Sequence, residues 1–153
     1  MATLQEGDKA PEFSAKNQNG ETTTLSGFLG KTVVLYFYPK DDTPGCTAEA
    51  CSFRDNYQSL TAKGYQVIGV STDSEKSHKK FETKYSLPFP LIADEDQKIV
   101  SDYGVWVEKS MYGKTYMGTT RTTFIIGPDG IIKHIIKKID NPNASQQVLD
   151  LIG

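Results

Sequence analysis

The chain has two cysteines, Cys46 and Cys51, and both lie in one stretch, PKDDTPGCTAEAC, residues 39–51. An apolar run, residues 33–38, leads into that stretch, and a helical pattern follows it. Thr43 has the residue type and place of an N-cap. Pro44 suits the first helical position, because the N–H it lacks would have no partner there. Cys46 then takes the third helical position, where a capping box usually carries Glu. Unpaired backbone N–H groups and the positive end of the helix dipole favour an anion at that place, so the sequence predicts a sulfur biased toward thiolate, the nucleophilic form. On an intact helix, residues as far apart as Cys46 and Cys51 are separated by about 7.5 Å along the axis and about 140° around it, which puts their Cα atoms roughly 8.6 Å apart. A disulfide needs less than about 7 Å and converging Cβ atoms. The two sulfurs can therefore join only if the first turns of the helix unwind.

The elements that must hold this stretch follow from periodicity and turn chemistry. Polar turn residues Asn17 to Gly20 separate two short half-apolar pieces and predict a β-hairpin within residues 10–28. Residues 33–38 read as a buried strand. Cys46, Ala50, Phe53, Tyr57 and Leu60 recur at helical spacing as one stripe that faces the sheet, while Cys51 points away from it, and Gly64 ends the helix. Residues 66–71 predict a second buried strand. Ser74 caps a helix that runs to Tyr85 and is stopped by Pro88. Residues 91–93 give a short strand and 97–103 another helix. Residues 122–126 and 131–139 give two strands joined by the hairpin signal Gly127-Pro128-Asp129-Gly130, and residues 144–152 a last helix. Alternating strands and helices, then a hairpin and a terminal helix, predict an α/β fold: a mixed central β-sheet flanked by helices on both faces. Without internal repeats, low-complexity tracts or linkers, residues 1–153 read as one domain.

A formal net charge of -2 without blocks of like charge gives no electrostatic case for a nucleic-acid partner. The N-terminal MATLQEGDKAPEF lacks the basic start and apolar centre of a secretory signal. No apolar run approaches the length of a membrane span, so a cytoplasmic protein without a membrane partner is expected. In that compartment two cysteines are seldom a permanent structural bridge. Gly30-Lys31-Thr32 and Gly113-Lys114-Thr115 resemble the ends of phosphate loops, but Leu25 and Glu108 stand where the first glycine belongs. Asn143-Ala144-Ser145 fits a glycosylation acceptor, which without secretion is a chance match.

Pro39-Lys40-Asp41-Asp42-Thr43-Pro44-Gly45-Cys46 matches the P-x-x-x-T-x-x-C signature of the peroxiredoxins. The continuation Thr47-Ala48-Glu49-Ala50-Cys51 resembles their bacterioferritin comigratory protein (PrxQ) branch. GDKAPEF, VVLYFYPKDDTPGCT, GVSTDS, ADED, YGVW and TTRTTFIIGPDG, in that order, carry the resemblance over nearly the whole chain. It implies a thioredoxin-like fold with the N-terminal β-hairpin as an extension. The implied activity is that of a thiol peroxidase for hydrogen peroxide and organic hydroperoxides, with no metal or organic cofactor. Cys46 would be the peroxidatic cysteine, oxidised to a sulfenic acid. Thr43 would hydrogen-bond the peroxide, Pro39 would shield the site, and Arg121 would face the thiolate and the departing oxygen; Gly45 completes the implied substrate site. Cys51 would be the resolving cysteine of an intramolecular disulfide that thioredoxin or a similar dithiol reduces. A monomer is the family-level expectation, with dimers among relatives.

A lowered thiol pKa raises the thiolate fraction, but nucleophilicity falls with it. Most of the acceleration must then come from donors aimed at the O–O bond as it lengthens. Arg121 suits this because its guanidinium is planar, multiply donating and permanently charged. Outside the resemblance, Arg121 would read as an edge-strand surface charge. Glu49, one turn after Cys46, reads as a helix-start charge, with orientation of Arg121 as the alternative. His78, in Ser77-His78-Lys79-Lys80, reads as part of a solvated helix face, and His134, among strand isoleucines, as packing or edge. Tyr36, Phe37 and Tyr38 read as core and site wall. Trp106 either lines an apolar mouth or packs into the core. Two rival functions are weaker. A general disulfide oxidoreductase uses C-x-x-C, whereas four residues separate these cysteines. A copper-binding factor on the same fold needs a histidine beside its two cysteines, and nothing in the sequence supplies one.

Overall fold

The strand that leads into the cysteine stretch is the middle of the sheet. In the computed structural model, which describes residues 4–152, β3 (Thr32–Phe37) pairs in parallel with β4 (Tyr65–Ser71) and antiparallel with β8 (Thr122–Ile126). β5 (Leu91–Ala93) lies parallel beyond β4, and β9 (Ile132–Ile136) antiparallel beyond β8. The five-stranded order is therefore β5-β4-β3-β8-β9, a mixed sheet. The expected N-terminal hairpin is present as β1 (Ser14–Lys16) against β2 (Thr22–Thr24). Residues 1–3 and 153, included in the one-domain and N-terminal expectations, lie outside the described residues.

Side chains alternate along β3 between two cores, as the period of a strand requires. Val33, Leu35 and Phe37 pack on one face with Ile68, Val70, Val100, Tyr103, Phe124 and the N-terminal Ala10 and Phe13. Val34, Tyr36 and Tyr38 pack on the other with Cys46, Ala50 and Phe53. That second face is covered by α1 (Pro44–Asp55), α2 (Tyr57–Ala62), α3 (Glu75–Tyr85) and α5 (Ala144–Ile152), through residues such as Leu60, Phe81 and Val148. α4 (Lys98–Asp102) covers the first face. Trp106 is half-buried against the first core, on the face of the sheet away from Cys46.

Three features depart from the sequence pattern. The single helix expected through Leu60 breaks at Asn56, whose backbone leaves the helical region at φ −113° and ψ 9°. Its Nδ2 donates to the Ser52 carbonyl and the Ser145 hydroxyl, so a side chain takes an acceptor that the helical backbone would use. The second departure is a hairpin, β6 (Trp106–Met111) and β7 (Lys114–Thr119), in a stretch for which the sequence predicts no strand. Its turn residues Tyr112 and Gly113 have φ of +53° and +79°, the handedness that a two-residue hairpin turn demands. Met111, Tyr112, Tyr116 and Met117 of this hairpin are exposed, so it shows no apolar alternation to read. Third, β9 stops at Ile136, and a 3₁₀ turn, Asn141–Asn143, precedes α5.

Candidate active site

β3 ends beneath the N-terminus of α1, and the turn between them holds the motif. Thr43 occupies the N-cap position with extended φ −99° and ψ 156°, and its carbonyl accepts from the Thr47 N–H at 2.8 Å. Its side chain does not cap the helix. The hydroxyl instead donates to the Lys40 carbonyl at 2.9 Å, which closes the turn on itself. The Thr43 hydroxyl therefore does not compete for the first-turn N–H groups, which favour an anion at the helix start. Cys46 sits there, only 1% exposed, with Thr43, Gly45 and Pro39 half-buried around the turn.

Arg121, in the link between β7 and β8, reaches across to this sulfur. Its Nη2 donates to Cys46 Sγ at 3.3 Å and its Nη1 to Glu49 Oε1 at 2.7 Å. One guanidinium thus faces two acidic side chains one helical turn apart. Glu49 is fully buried, so it is not a solvated helix-start charge; the alternative, a partner that orients Arg121, is what the geometry gives. Burial pushes its carboxyl up to about 7 against the opposing pull of Arg121. Burial also works against the Arg121 charge, but Glu49 and Cys46 outweigh it and hold the guanidinium above its ordinary value. Glu49 Oε2 has no hydrogen-bond partner among the described residues.

Gly45 is needed here for space. A Cβ on it would come within 2.9 Å of Asn141 Nδ2 and 3.3 Å of Arg121 Nη2. Asn141, from the 3₁₀ turn before α5, is thus a neighbour of the site that the sequence did not point to, since nothing local ties residue 141 to residue 45. Tyr36 and Tyr38 form the wall behind Cys46, fully buried, their rings 5.4 Å apart and 27° from parallel.

The two cysteines are free, and both lie within α1, Cys46 buried and Cys51 half-buried. His78 is not on a solvated face: it is fully buried, with Nδ1 2.7 Å from Asp41 Oδ2 and Nε2 2.9 Å from the Ile92 carbonyl. Its spacing of three residues before Phe81, the other buried residue of α3, was the local sign of this, outweighed by its lysine neighbours. His134 lies on β9, half-exposed, 3.9 Å from Glu6. With His78 engaged in this way, neither histidine stands beside the cysteines as a copper site would require.

A sulfur at a helix start, nearly closed to solvent and touched by a buffered guanidinium, is equipped to attack an oxidant and to stabilise the oxygen that leaves. The comparisons agree with this class of site. The AhpC/TSA family model matches residues 6–135. Peroxiredoxin Bcp of Escherichia coli is 44% identical over 150 residues, covering 98% of this chain and 96% of that protein. A cysteine-to-serine mutant of Xylella fastidiosa PrxQ superposes with a TM-score of 0.93 at 32% identity, over 99% of this chain and 97% of that one. Xanthomonas campestris bacterioferritin comigratory protein, solved in work on its alkyl peroxide reduction activity, gives a TM-score of 0.86 at 36% identity, covering 92% of this chain and 89% of that one. The chain belongs to the AhpC/TSA family, in the Bcp/PrxQ branch of the peroxiredoxins, and is a peroxidase on a thioredoxin-like fold. No helix among the described residues is long and apolar enough to cross a membrane.

Proposed function

We propose that the chain works as a single domain in which Cys46 reduces hydrogen peroxide and organic hydroperoxides, and Cys51 returns it to service through an intramolecular disulfide. The observation that carries this is the Arg121 guanidinium, 3.3 Å from Cys46 Sγ and held in place by Glu49. The Cys46 thiolate attacks one peroxide oxygen, the O–O bond breaks, and the departing oxygen takes a proton to leave as water or an alcohol. Cys46 is left as a sulfenic acid. Arg121 stabilises the negative charge that builds on the departing oxygen, a contribution realised mainly in the transition state. The Thr43 hydroxyl must turn from the Lys40 carbonyl to donate to the peroxide, or else accept from it. Pro39 shields the turn from water. The residues need no metal or organic cofactor for this chemistry.

The Cys51 thiol then attacks the sulfenic sulfur, water leaves, and a dithiol such as thioredoxin reduces the bridge by two exchanges. Because both cysteines lie within α1, its first turns must unwind for the bridge to form. The Ser52–Ser145 hydrogen bonds that tie α1 to α5 lie just past Cys51 and resist this. Amide exchange should therefore show lower protection over residues 43–54 in the oxidised protein than in the reduced one; equal protection would contradict the unwinding. A cytoplasmic monomer is the working form, with a dimer as the alternative. The deciding assay is thioredoxin-dependent consumption of hydrogen peroxide and an alkyl hydroperoxide. Cys46→Ser should be inactive. Cys51→Ser should reduce one equivalent and then stall until another thiol is supplied. Sustained turnover by Cys46→Ser would overturn the proposal.

A further inference from the structure

On the side of the Pro39–Thr43 turn that faces α3 lies a second buried acid, which the reaction above does not use. Asp41 is 7% exposed. Its Oδ1 accepts from the Tyr38 hydroxyl at 2.6 Å, and its Oδ2 accepts from the Ser77 hydroxyl and meets His78 Nδ1, each at 2.7 Å. Its backbone N–H donates to Asp73 Oδ2 at 2.8 Å, and Asp73 accepts from Ser71 as well. The Ile92 carbonyl can only accept, so Nε2 of His78 carries a proton. A neutral imidazole has no second N–H, yet Nδ1 faces a carboxylate oxygen that already accepts from Ser77. With Tyr38 and Ser77 donating to Asp41, an N–H at Nδ1 as well is the arrangement in which no acceptor faces an acceptor. The groups around this imidazolium are Asp41 on the turn, Tyr38 at the end of β3, Asp73 after β4 and Ser77 on α3 itself. Asp41, Asp73 and His78 could also surround a cation, but Nδ1 and both Oδ2 atoms are already engaged in these bonds.

We propose that His78 and Asp41 are positioning residues for peroxide reduction, an imidazolium–carboxylate pair that bolts the Pro39–Thr43 turn to α3 and so sets Cys46 against Arg121. This rests on Cys46 being the attacking sulfur. Asp42, next in the turn, has φ +56°, a left-handed conformation that aspartate tolerates better than most side chains other than glycine. Its carboxylate is gripped by Lys84 and Tyr85 of the same helix, each at 2.8 Å. The turn is thus fastened to α3 twice and to itself once, through Thr43 and Lys40. Thr43 also supplies the carbonyl on which the first turn of α1 is built. The backbone of Arg121 belongs to a different element, so a turn that relaxes would shift the sulfur relative to the β7–β8 link that delivers the guanidinium.

Two measurements test this. Nitrogen-15 NMR of the reduced protein near neutral pH, with the second histidine assigned through His134→Gln, should find both ring nitrogens of His78 protonated; a bare Nδ1 would overturn the pair. Stopped-flow oxidation should then be followed well below the melting temperature, in His78→Gln and in the double variant Asp41→Ala/His78→Leu, which leaves no buried charge behind. Both should slow the first oxidation by about tenfold to a hundredfold, the usual loss for a misplacement of about 1 Å. Rates within about twofold of wild type in folded variants would overturn the positioning role. If neither variant folds, the nitrogen protonation decides. Oxidation that persists in Cys46→Ser would instead defeat the assignment of the attacking sulfur, whatever His78 does.

Discussion

Two buried ion pairs flank the start of α1, and they are built differently. On one side Asp41 receives hydrogen bonds from Tyr38, Ser77 and His78, so both of its oxygens are occupied. On the other, Glu49 meets Arg121 through one oxygen and leaves the second buried without a partner among the described residues. A network in which both carboxylate oxygens are occupied holds its surroundings rigid. A buried acid with an open oxygen is poised between charge states, and burial lifts its carboxyl to about 7. The first pair is suited to fixing a turn. The second is suited to sharing one guanidinium between Glu49 and the Cys46 sulfur.

The largest effect should come from breaking the responsive pair at its cation. Arg121→Lys keeps a charge but loses the planar fork that touches Cys46 and Glu49 together, and the second-order rate with peroxide should fall by about a hundredfold, as for loss of an oxyanion donor. A rate near wild type would remove Arg121 from the chemistry. Next comes the titration of Glu49. A carboxyl whose folded pKa is about 7, above the ordinary 4.5, stabilises the fold fully below about 4.5 and loses that contribution as the pH rises through about 7. Glu49→Gln should therefore gain stability relative to wild type by up to about 3 kcal/mol between these limits, measured by urea unfolding at about pH 5 and about pH 8. A difference that does not change with pH would show that Glu49 does not titrate there.

Smaller effects sharpen the contrast. Gly45→Ala pushes on Asn141 and Arg121 while improving helix propensity, so peroxidase rate should drop about tenfold with the melting temperature unchanged or higher. A parallel fall in both would mean that the loss is one of folding. Ser77→Ala takes one of three donors from Asp41 and should cost about 1.5 kcal/mol in unfolding free energy. Its rate should hold within about threefold, because Tyr38 and His78 still bind the carboxylate.

Residues close together in the chain were readable. The hairpin at Asn17 to Gly20, the Ser74 cap, whose hydroxyl accepts from the Ser77 N–H, and Cys46 at the third position of α1 all depend on neighbours a few residues away. For Glu49 the alternative reading, a partner of Arg121, is the one that holds; its place three residues after Cys46 and four before Phe53, on the buried face of α1, was the local sign. His78 was misjudged, its lysine neighbours counting for more than its distance from Phe81. The β6–β7 hairpin escaped because both of its strands are largely exposed, and a strand without a core face leaves no alternating pattern.

The sequence by itself determined the place of Cys46 at a helix start and most of the strands and helices of the central sheet, because these follow from spacings of two, three and four residues along the chain. Only the tertiary structure decided what the buried charges face. Arg121 meets Glu49 across 72 positions and His78 meets Asp41 across 37, joined by the packing of α1 and α3 against one face of the sheet. A charge removed from water must find a partner wherever the fold brings one, and that choice is made in three dimensions.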